Sequence, residues 1–304
     1  MIVTDPGAFR AAFDDERFPA RAAATARGAF LVAPASAELA TESALDNRYM
    51  DLAQGLDPAR AAAQHAALAR RLGDDVPVVA FAGDPACPDG MFPNNVFATR
   101  PGALVVGRMR HAVRRREAAR ADIRAFFRAV LGYRTIDLSP RDDLVAELTG
   151  ALVVDRARGI GYCGLSERCD MAGARAMHEA FGLRLTFAFE LAPGEYHTNV
   201  VFALLAGRLP LLAPDGFADP CVADAIAAAY GDAVLLDPAQ KRAFTANAIT
   251  LAPHRAWFSE RAVDALTPAQ RGHLGRHGFA LGAVPLDEIE KAGGSLRCCV
   301  AEIY

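Results

Sequence analysis

Four times along this chain the same order of pieces recurs: apolar strand, tight turn, apolar strand, helix, strand. The first copy runs NVFATRPGALVVG (95–107), a helix near 111–131 and YRTIDLS (133–139). The second is ALVVDRARGIGYCG (151–164), a helix from Ser166 and LRLTFAFE (183–190). The third is NVVFALLAGRLPLLAP (199–214), a helix near 217–230 and DAVLLDP (232–238). The fourth is NAITLAPHRAWFSE (247–260), a helix near 261–275 and FALGAVPL (279–286). The turns carry Pro-Gly, Arg-Gly or Gly-Arg, as tight connections require. A fifth copy exists only if the two ends are joined: LRCCVAEIY at the C-terminus, then GAFLVAPA (28–35), a helix over 57–72 and VPVVAFAG (76–83). Units of this kind cannot bury their apolar faces alone, and sharing one unit between the termini leaves no open end. The expectation is an α/β fold: a five-fold pseudosymmetric α/β propeller in a single domain over residues 1–304, its ring closed by pairing of N- and C-terminal strands.

Composition narrows the partners. Hydrophobic residues are 52% of the 304, enough for a large core, and the net charge of -3 gives no general drive toward nucleic acid or an anionic membrane. The run RMRHAVRRREAARADIR (108–124) reads as a solvated helix face, because no aromatic residue interleaves its arginines to stack bases. The start MIVTDPGAFR lacks the features of a signal peptide, and no apolar run reaches about 18 residues. The six cysteines form no CxxC pair, which argues against structural zinc and fits a cytoplasmic compartment with reduced thiols.

The polar residues that open each unit fall in one phase. Asn95, Glu147, His197, Asn247 and Cys298 follow one another at intervals of 50 to 52 residues. Residues at one phase of a ring repeat lie at one height around its axis. A carboxylate, a histidine, a thiol and two amides should therefore converge on one central pocket. No GxGxxG follows a strand, which disfavours a dinucleotide enzyme. A papain-like hydrolase is disfavoured because its cysteine would open a helix near the N-terminus.

These residues carry a resemblance to the guanidino-group-modifying superfamily, the pentein fold. The stretches FPNN (92–95) and GGSLRC (293–298) look most like its citrulline-utilising hydrolases and arginine dihydrolases. The resemblance implies Cys298 as nucleophile, His197 as general acid/base and Glu147, in ELTG, as the acid that partners the histidine or the substrate nitrogens. It implies that Arg168, in SERC, holds a substrate carboxylate, although Cys169 stands where threonine is usual. Asp89 and Asn95 would line the substrate pocket. Arginine deiminases are expected to clamp a guanidinium with carboxylates at the positions of Asn95 and Asn199. Both are amides here, and an amide donates as well as accepts, which suits a neutral ureido group. Asn247 joins the pocket by its phase.

A guanidinium or ureido carbon is a poor electrophile, so a thiolate that forms a covalent intermediate splits a hard step into easier ones. The expected activity is C–N hydrolysis of citrulline or arginine to ornithine, ammonia and carbon dioxide, with no metal or organic cofactor. Arginine deiminase, dimethylarginine dimethylaminohydrolase and amidinotransferase activities remain alternatives, as does a pentein-type binding protein without catalysis. The expected partner is a small guanidino or ureido amino acid, with a homodimer left open and neither nucleic acid nor membrane involved. Cys298 and Cys299 are read as neighbours on a strand, pointing to opposite faces. Cys87, Cys163 and Cys221 are expected to be inert. His65, His111, His178, His254, His273 and His277 fall outside the repeat phase and are assigned surface or structural roles.

Overall fold

The computed structural model describes every residue except Arg17 and Ala37. Its described residues form a mixed α/β structure with five separate small sheets. Each sheet contains an antiparallel pair, and the inner strand of that pair takes a third strand in parallel. Phe97–Arg100 pairs with Ala103–Val106, which pairs with Arg134–Asp137. Leu152–Asp155, Ile160–Leu165 and Leu185–Glu190 repeat the pattern. So do Phe202–Leu205, Leu209–Leu212 and Val234–Leu235, and Ile249–Ala252, Arg255–Ser259 and Ala280–Val284. A parallel third strand needs a crossover, and helices such as Met171–Phe181 and Cys221–Tyr230 supply it. Strands such as Ile160–Leu165 are almost wholly buried, which is why they read as apolar runs rather than as alternations.

The fifth sheet joins the two ends of the chain. Ala301–Ile303 lies antiparallel to Gly28–Val32, which pairs in parallel with Val78–Phe81. The helix Pro58–Leu72 crosses between those last two, started by Asp57, whose carboxylate accepts from the Ala59 and Arg60 amides. A side chain from the neighbouring sheet ties this junction down. The Thr99 hydroxyl donates to the Glu302 carbonyl at 2.9 Å and accepts from the Tyr304 amide at 3.0 Å. The Tyr133 hydroxyl donates to the Tyr304 carbonyl.

Several elements differ from the sequence expectation. The helix expected over 111–131 is four short pieces, Ala112–Arg115, Arg116–Ala119, Ala121–Ala125 and Phe126–Val130. The backbone of Arg120 leaves the helical region at ψ 99° and breaks it. The helix expected over 261–275 divides into Glu260–Ala265 and Pro268–Arg276. Thr267 and Gln270 build a capping box there, with Pro268 at the first helical position. The strand expected over 232–238 shrinks to Val234–Leu235, because Asp237 caps the helix Pro238–Arg242.

The first residues, outside the repeat reading, also have a place. Ile2–Val3 adds in parallel to Leu185–Glu190. The helix Pro6–Glu16 follows, and its Phe9 ring stacks on Phe187 at 4.6 Å and meets Tyr162 edge-on at 5.7 Å. No helix among the described residues is long and apolar enough to cross a membrane.

Replacing Thr99 with valine keeps the shape but leaves a buried amide and a carbonyl without their partner. The expected loss is about 1–3 kcal/mol, read by urea unfolding. An unchanged midpoint would show that the pairing of the chain ends stands without this hydroxyl.

Candidate active site

Each phase residue sits on or beside a short helical turn that precedes the first strand of its unit, not on the strand itself. Asn95 ends the turn Pro93–Asn95, Glu147 precedes Leu148–Ala151 and His197 precedes Thr198–Val201. Cys298 lies in a turn as well. Its amide donates to the Ser295 carbonyl at 3.0 Å, and Cys299 donates to Leu296 at 3.1 Å. The strand expected to carry both cysteines starts only at Ala301. The argument from opposite strand faces therefore does not apply to them. What separates the two thiols is their surroundings: Cys298 meets the side chains of Asn247 and Asn199, while Cys299 is fully buried in an apolar cluster.

The turns are stitched together in sequence. The Thr149 hydroxyl donates to the Asn94 carbonyl at 3.0 Å. Asn199 Nδ2 donates to the Thr149 carbonyl at 3.2 Å, and Asn247 Nδ2 to the Asn199 carbonyl at 2.9 Å. The Arg297 amide then donates to Asn247 Oδ1 at 2.9 Å. Five units are thus linked by four hydrogen-bonded steps, three of them buried, and the side-chain amides of Asn199 and Asn247 make three of the four. The same amides touch the thiol. Asn247 Nδ2 lies 3.4 Å from Cys298 Sγ, and Asn199 Oδ1 lies 3.8 Å from it.

Glu147 and His197 form a second, fully buried group. His197 Nε2 lies 2.9 Å from Glu147 Oε2, which also accepts from Arg168 Nη1 at 3.2 Å. Glu147 Oε1 accepts from the Arg110 amide at 3.1 Å. Burial alone would raise the Glu147 carboxyl. The Arg168 charge, the His197 hydrogen bond and the charges of His197 and Arg114 overcome it and hold the carboxyl well below the usual range. Glu147 is therefore an acceptor, so His197 Nε2 donates and Nδ1 carries the free lone pair of the neutral ring. Nδ1 has no partner, and neither does Asn95 Oδ1. Both atoms face Gly150: a Cβ there would lie 2.5 Å from Asn95 Oδ1 and 2.8 Å from His197 Nδ1. Burial keeps the imidazole below its ordinary value despite the carboxylate beside it. Burial pushes the Cys298 thiol up, partly offset by a backbone hydrogen bond at Ser295, the Asn247 amide and the charges of Arg297 and Arg114.

A small cavity opens beside Cys298, and Asp89, Asn95, Arg114, Arg168 and Tyr196 help line it. Asp89 is buried and accepts from the Ser43 hydroxyl at 2.6 Å. Arg168 is buried with most of its donors engaged. Its Nε donates to Asp46 at 2.8 Å, its Nη2 to the Ser43 carbonyl at 2.9 Å, and its Nη1 to Glu147. The run over 108–124 is not simply a solvated face. Arg114 is buried, forked onto Glu117 at 2.8 Å twice, and donates to the Phe92 carbonyl at 3.1 Å. His111 is also drawn in, 2.9 Å from Asp46.

Sequence reading missed Ser43, Asp46, Asn47, Arg114 and Tyr196. The Tyr196 hydroxyl donates to the Gly293 carbonyl at 2.5 Å, and Asn47 Nδ2 donates to the same carbonyl at 3.2 Å. Gly293 has φ 76°, and a Cβ there would lie 2.4 Å from Asn47 Nδ2. That position admits only glycine, which gives GGSLRC its physical reason. The signal for Tyr196 was its place beside His197. The loop residues carried no periodic signal at all.

The fold is a mixed α/β structure of five small sheets, and the short turns before their first strands hold a buried thiol, imidazole and carboxylate, the groups a guanidino-modifying enzyme would use. A family model described as "N,N dimethylarginine dimethylhydrolase, eukaryotic" matches residues 33–304, and the chain belongs to that family. With it the chain belongs to the pentein superfamily, whose hydrolases act on guanidino C–N bonds. No curated protein sequence matches. Among solved structures, the substrate-bound N-terminal domain of ArgZ, an arginine dihydrolase from the ornithine-ammonia cycle in Cyanobacteria, is 19% identical with a TM-score of 0.78, covering 91% of this chain and 97% of that one. AgrE in complex with ornithine and NAD+ is 20% identical with a TM-score of 0.78, over 91% of this chain and 39% of that one. A dimethylarginine dimethylaminohydrolase adduct is 19% identical with a TM-score of 0.68, over 91% and 100%. The chain thus spans well under half of AgrE and nearly all of the ArgZ N-terminal domain.

Two outcomes follow from this geometry. A thiol raised by burial is mostly protonated at neutral pH, so alkylation of Cys298 by iodoacetamide should climb about tenfold per pH unit past the ordinary thiol value. Peptide mass spectrometry reads this with exposed Cys221 as internal reference; a plateau below pH 8 would show a thiolate already held. Gly150→Ala should push the His197 ring off Glu147 and cut turnover by at least about tenfold. The melting curve would remain cooperative. Unchanged turnover would mean that the ring position does not matter.

Proposed function

We propose that this chain hydrolyses a C–N bond of a free guanidino or ureido amino acid, arginine or citrulline, through a covalent intermediate on Cys298. The proposal takes residues 1–304 as a single catalytic domain whose five units surround the site as a five-fold propeller. The observation that carries it is one small cavity lined by the Cys298 thiol, Asp89, Arg168 and Asn95, whose Oδ1 is buried without a partner; the equally unpartnered His197 Nδ1 faces the same glycine, Gly150, as that oxygen. Buried polar atoms are rarely left unpaired, and the N–H groups of a guanidino or ureido group would satisfy such acceptors. Asp89 lines the cavity, and Asn199 and Asn247 flank the thiol.

Cys298 Sγ attacks the central carbon as a thiolate, forming a tetrahedral adduct. His197 Nδ1, protonated, gives its proton to the departing nitrogen, which leaves as ammonia. The neutral ring then takes a proton from water, which attacks the thiouronium or thiocarbamate carbon and releases the thiolate. Glu147 fixes the ring orientation and stabilises the imidazolium. Arg168 acts by keeping Glu147 charged, and its remaining Nη1 hydrogen is the one donor left for a substrate carboxylate. Two rounds convert arginine and two waters into ornithine, two ammonia and carbon dioxide. The amide at Asn95 supports the second round, because it can turn its nitrogen to a ureido oxygen, which needs a donor where a guanidinium needs none.

A second reading rests on the family match over residues 33–304: release of a methylamine from a methylated arginine by the same chemistry. Incubation of the full chain with arginine, citrulline and asymmetric dimethylarginine, followed by mass spectrometry, distinguishes the two. Ornithine and ammonia without accumulating citrulline is the expected result, reduced roughly 10³-fold or more in Cys298→Ser. Arginine turnover that stops at citrulline would overturn the two-step reading, and dimethylamine release alone would establish the second. No turnover of any of the three would overturn both.

A further inference from the structure

A separate cluster, none of whose residues lines the cavity at Cys298, sits between the third and fourth units. Asp232 lies in the turn after the helix Cys221–Tyr230, just before the strand Val234–Leu235. His273 and His277 lie on and just after the helix Pro268–Arg276. Spaced four residues apart in HLGRH, they share one helix face, and their rings are 5.2 Å apart. Both Nε2 atoms point at the same oxygen, Asp232 Oδ2, each at 2.7 Å. The other carboxylate oxygen is held by the Ala233 amide at 2.8 Å. The ligand atoms of all three residues lie within 4.8 Å of one another. The side chains are 23%, 29% and 40% exposed for His273, His277 and Asp232, so a solvent molecule can reach the same point.

We propose that Asp232, His273 and His277 form a binding site for a borderline divalent transition metal, Zn2+ above all, that ties the third unit to the fourth. Two imidazoles and a carboxylate match the ligand preferences of that class, whereas Mg2+ and Ca2+ demand oxygen donors. Metal–ligand distances of about 2.0–2.2 Å place tetrahedral donors a little over 3 Å apart. The two side-chain pairs need only spread by about half an ångström from their present hydrogen bonds. Each neutral ring binds through an Nε2 lone pair, so its proton moves to Nδ1 with no net loss from the ring, and water completes the fourth position. The junction is already organised: Gln270, on the same helix, donates to the Leu235 carbonyl at 2.8 Å and to Gln240 at 3.0 Å. The metal would therefore act as a clip on a preformed contact, and its readout is stability rather than turnover.

Isothermal titration of the full chain with Zn2+ tests this, alongside His273→Ala, His277→Gln and Cys298→Ser. Zn2+ binding should persist in Cys298→Ser, which separates this site from any metal taken up by the catalytic thiol, and should be lost in both histidine variants. Co2+ should give a visible d–d spectrum without an intense thiolate charge-transfer band. Zn2+ should raise the melting temperature of wild type, reversibly on chelation, and leave that of His277→Gln unchanged. Circular dichroism checks that each variant is folded. Binding undiminished in His277→Gln, or binding abolished by Cys298→Ser, would overturn the proposal. So would the absence of any binding to wild type.

Discussion

Glu147 is a fully buried carboxylate, and much of the site is arranged by the need to keep it charged. An isolated buried charge costs several kcal/mol, so it must be paired and hydrogen-bonded. Arg168 pairs it, but Arg168 is itself a buried cation and brings the same requirement one step outward. Asp46 and the Ser43 carbonyl meet that requirement, which fixes a loop more than a hundred residues away in sequence. The fixed loop then places Ser43 against Asp89 and Asn47 against the Gly293 carbonyl, beside the nucleophile. One carboxylate thus sets the position of both walls of the cavity. Arg114 repeats the logic on the other side, its charge satisfied by Glu117 while its remaining donors hold the backbone of Asp89 and Phe92.

What the sequence made legible and what it hid divide along this line. The repeat is a matter of strand and turn chemistry, which is local, so the five units and the phase of Asn95, Glu147, His197, Asn247 and Cys298 could be read directly. The helical turns that carry these residues look like strand starts in the sequence. They are only about one turn long, and apolar runs of that length carry no periodicity to tell helix from strand. The buried charges were hidden for a different reason. Arg114 and Glu117 stand three apart in a run of arginines, and a solvated helix face has the same spacing. Only tertiary packing separates a buried pair from an exposed one. His111 falls outside the repeat phase, and the partner that draws it in, Asp46, lies 65 residues away.

The belt of hydrogen bonds from Asn94 through Thr149, Asn199 and Asn247 to Arg297 gives the recurring amides a structural duty beside any chemical one. That duty constrains how far substrate selectivity can drift. At Asn199 the amide nitrogen is committed to the neighbouring unit, leaving only its oxygen toward Cys298. A carboxylate there could still accept but would lose the donor that joins two units. Asn95 Oδ1 carries no such link, so on the reading proposed above a change of substrate charge would be accommodated there without breaking a bond between units.

The proton inventory of the resting site follows from burial. Burial raises the thiol of Cys298 and lowers the imidazole of His197, so the neutral pair is favoured over the thiolate–imidazolium pair. Each group titrates in the direction that avoids an unpaired charge in a medium of low polarisability. On the reading proposed above, activation must then come from the substrate. An arginine guanidinium brings a positive charge to the thiol and stabilises its anion, and the proton lost from sulfur can pass to His197 Nδ1. Citrulline brings no charge. Its attack requires the proton to move from Cys298 to His197 within the same site, with Glu147 offsetting the imidazolium. The buried carboxylate matters more in the second round than in the first, which gives a physical reason for Arg168 to be devoted to holding it ionised.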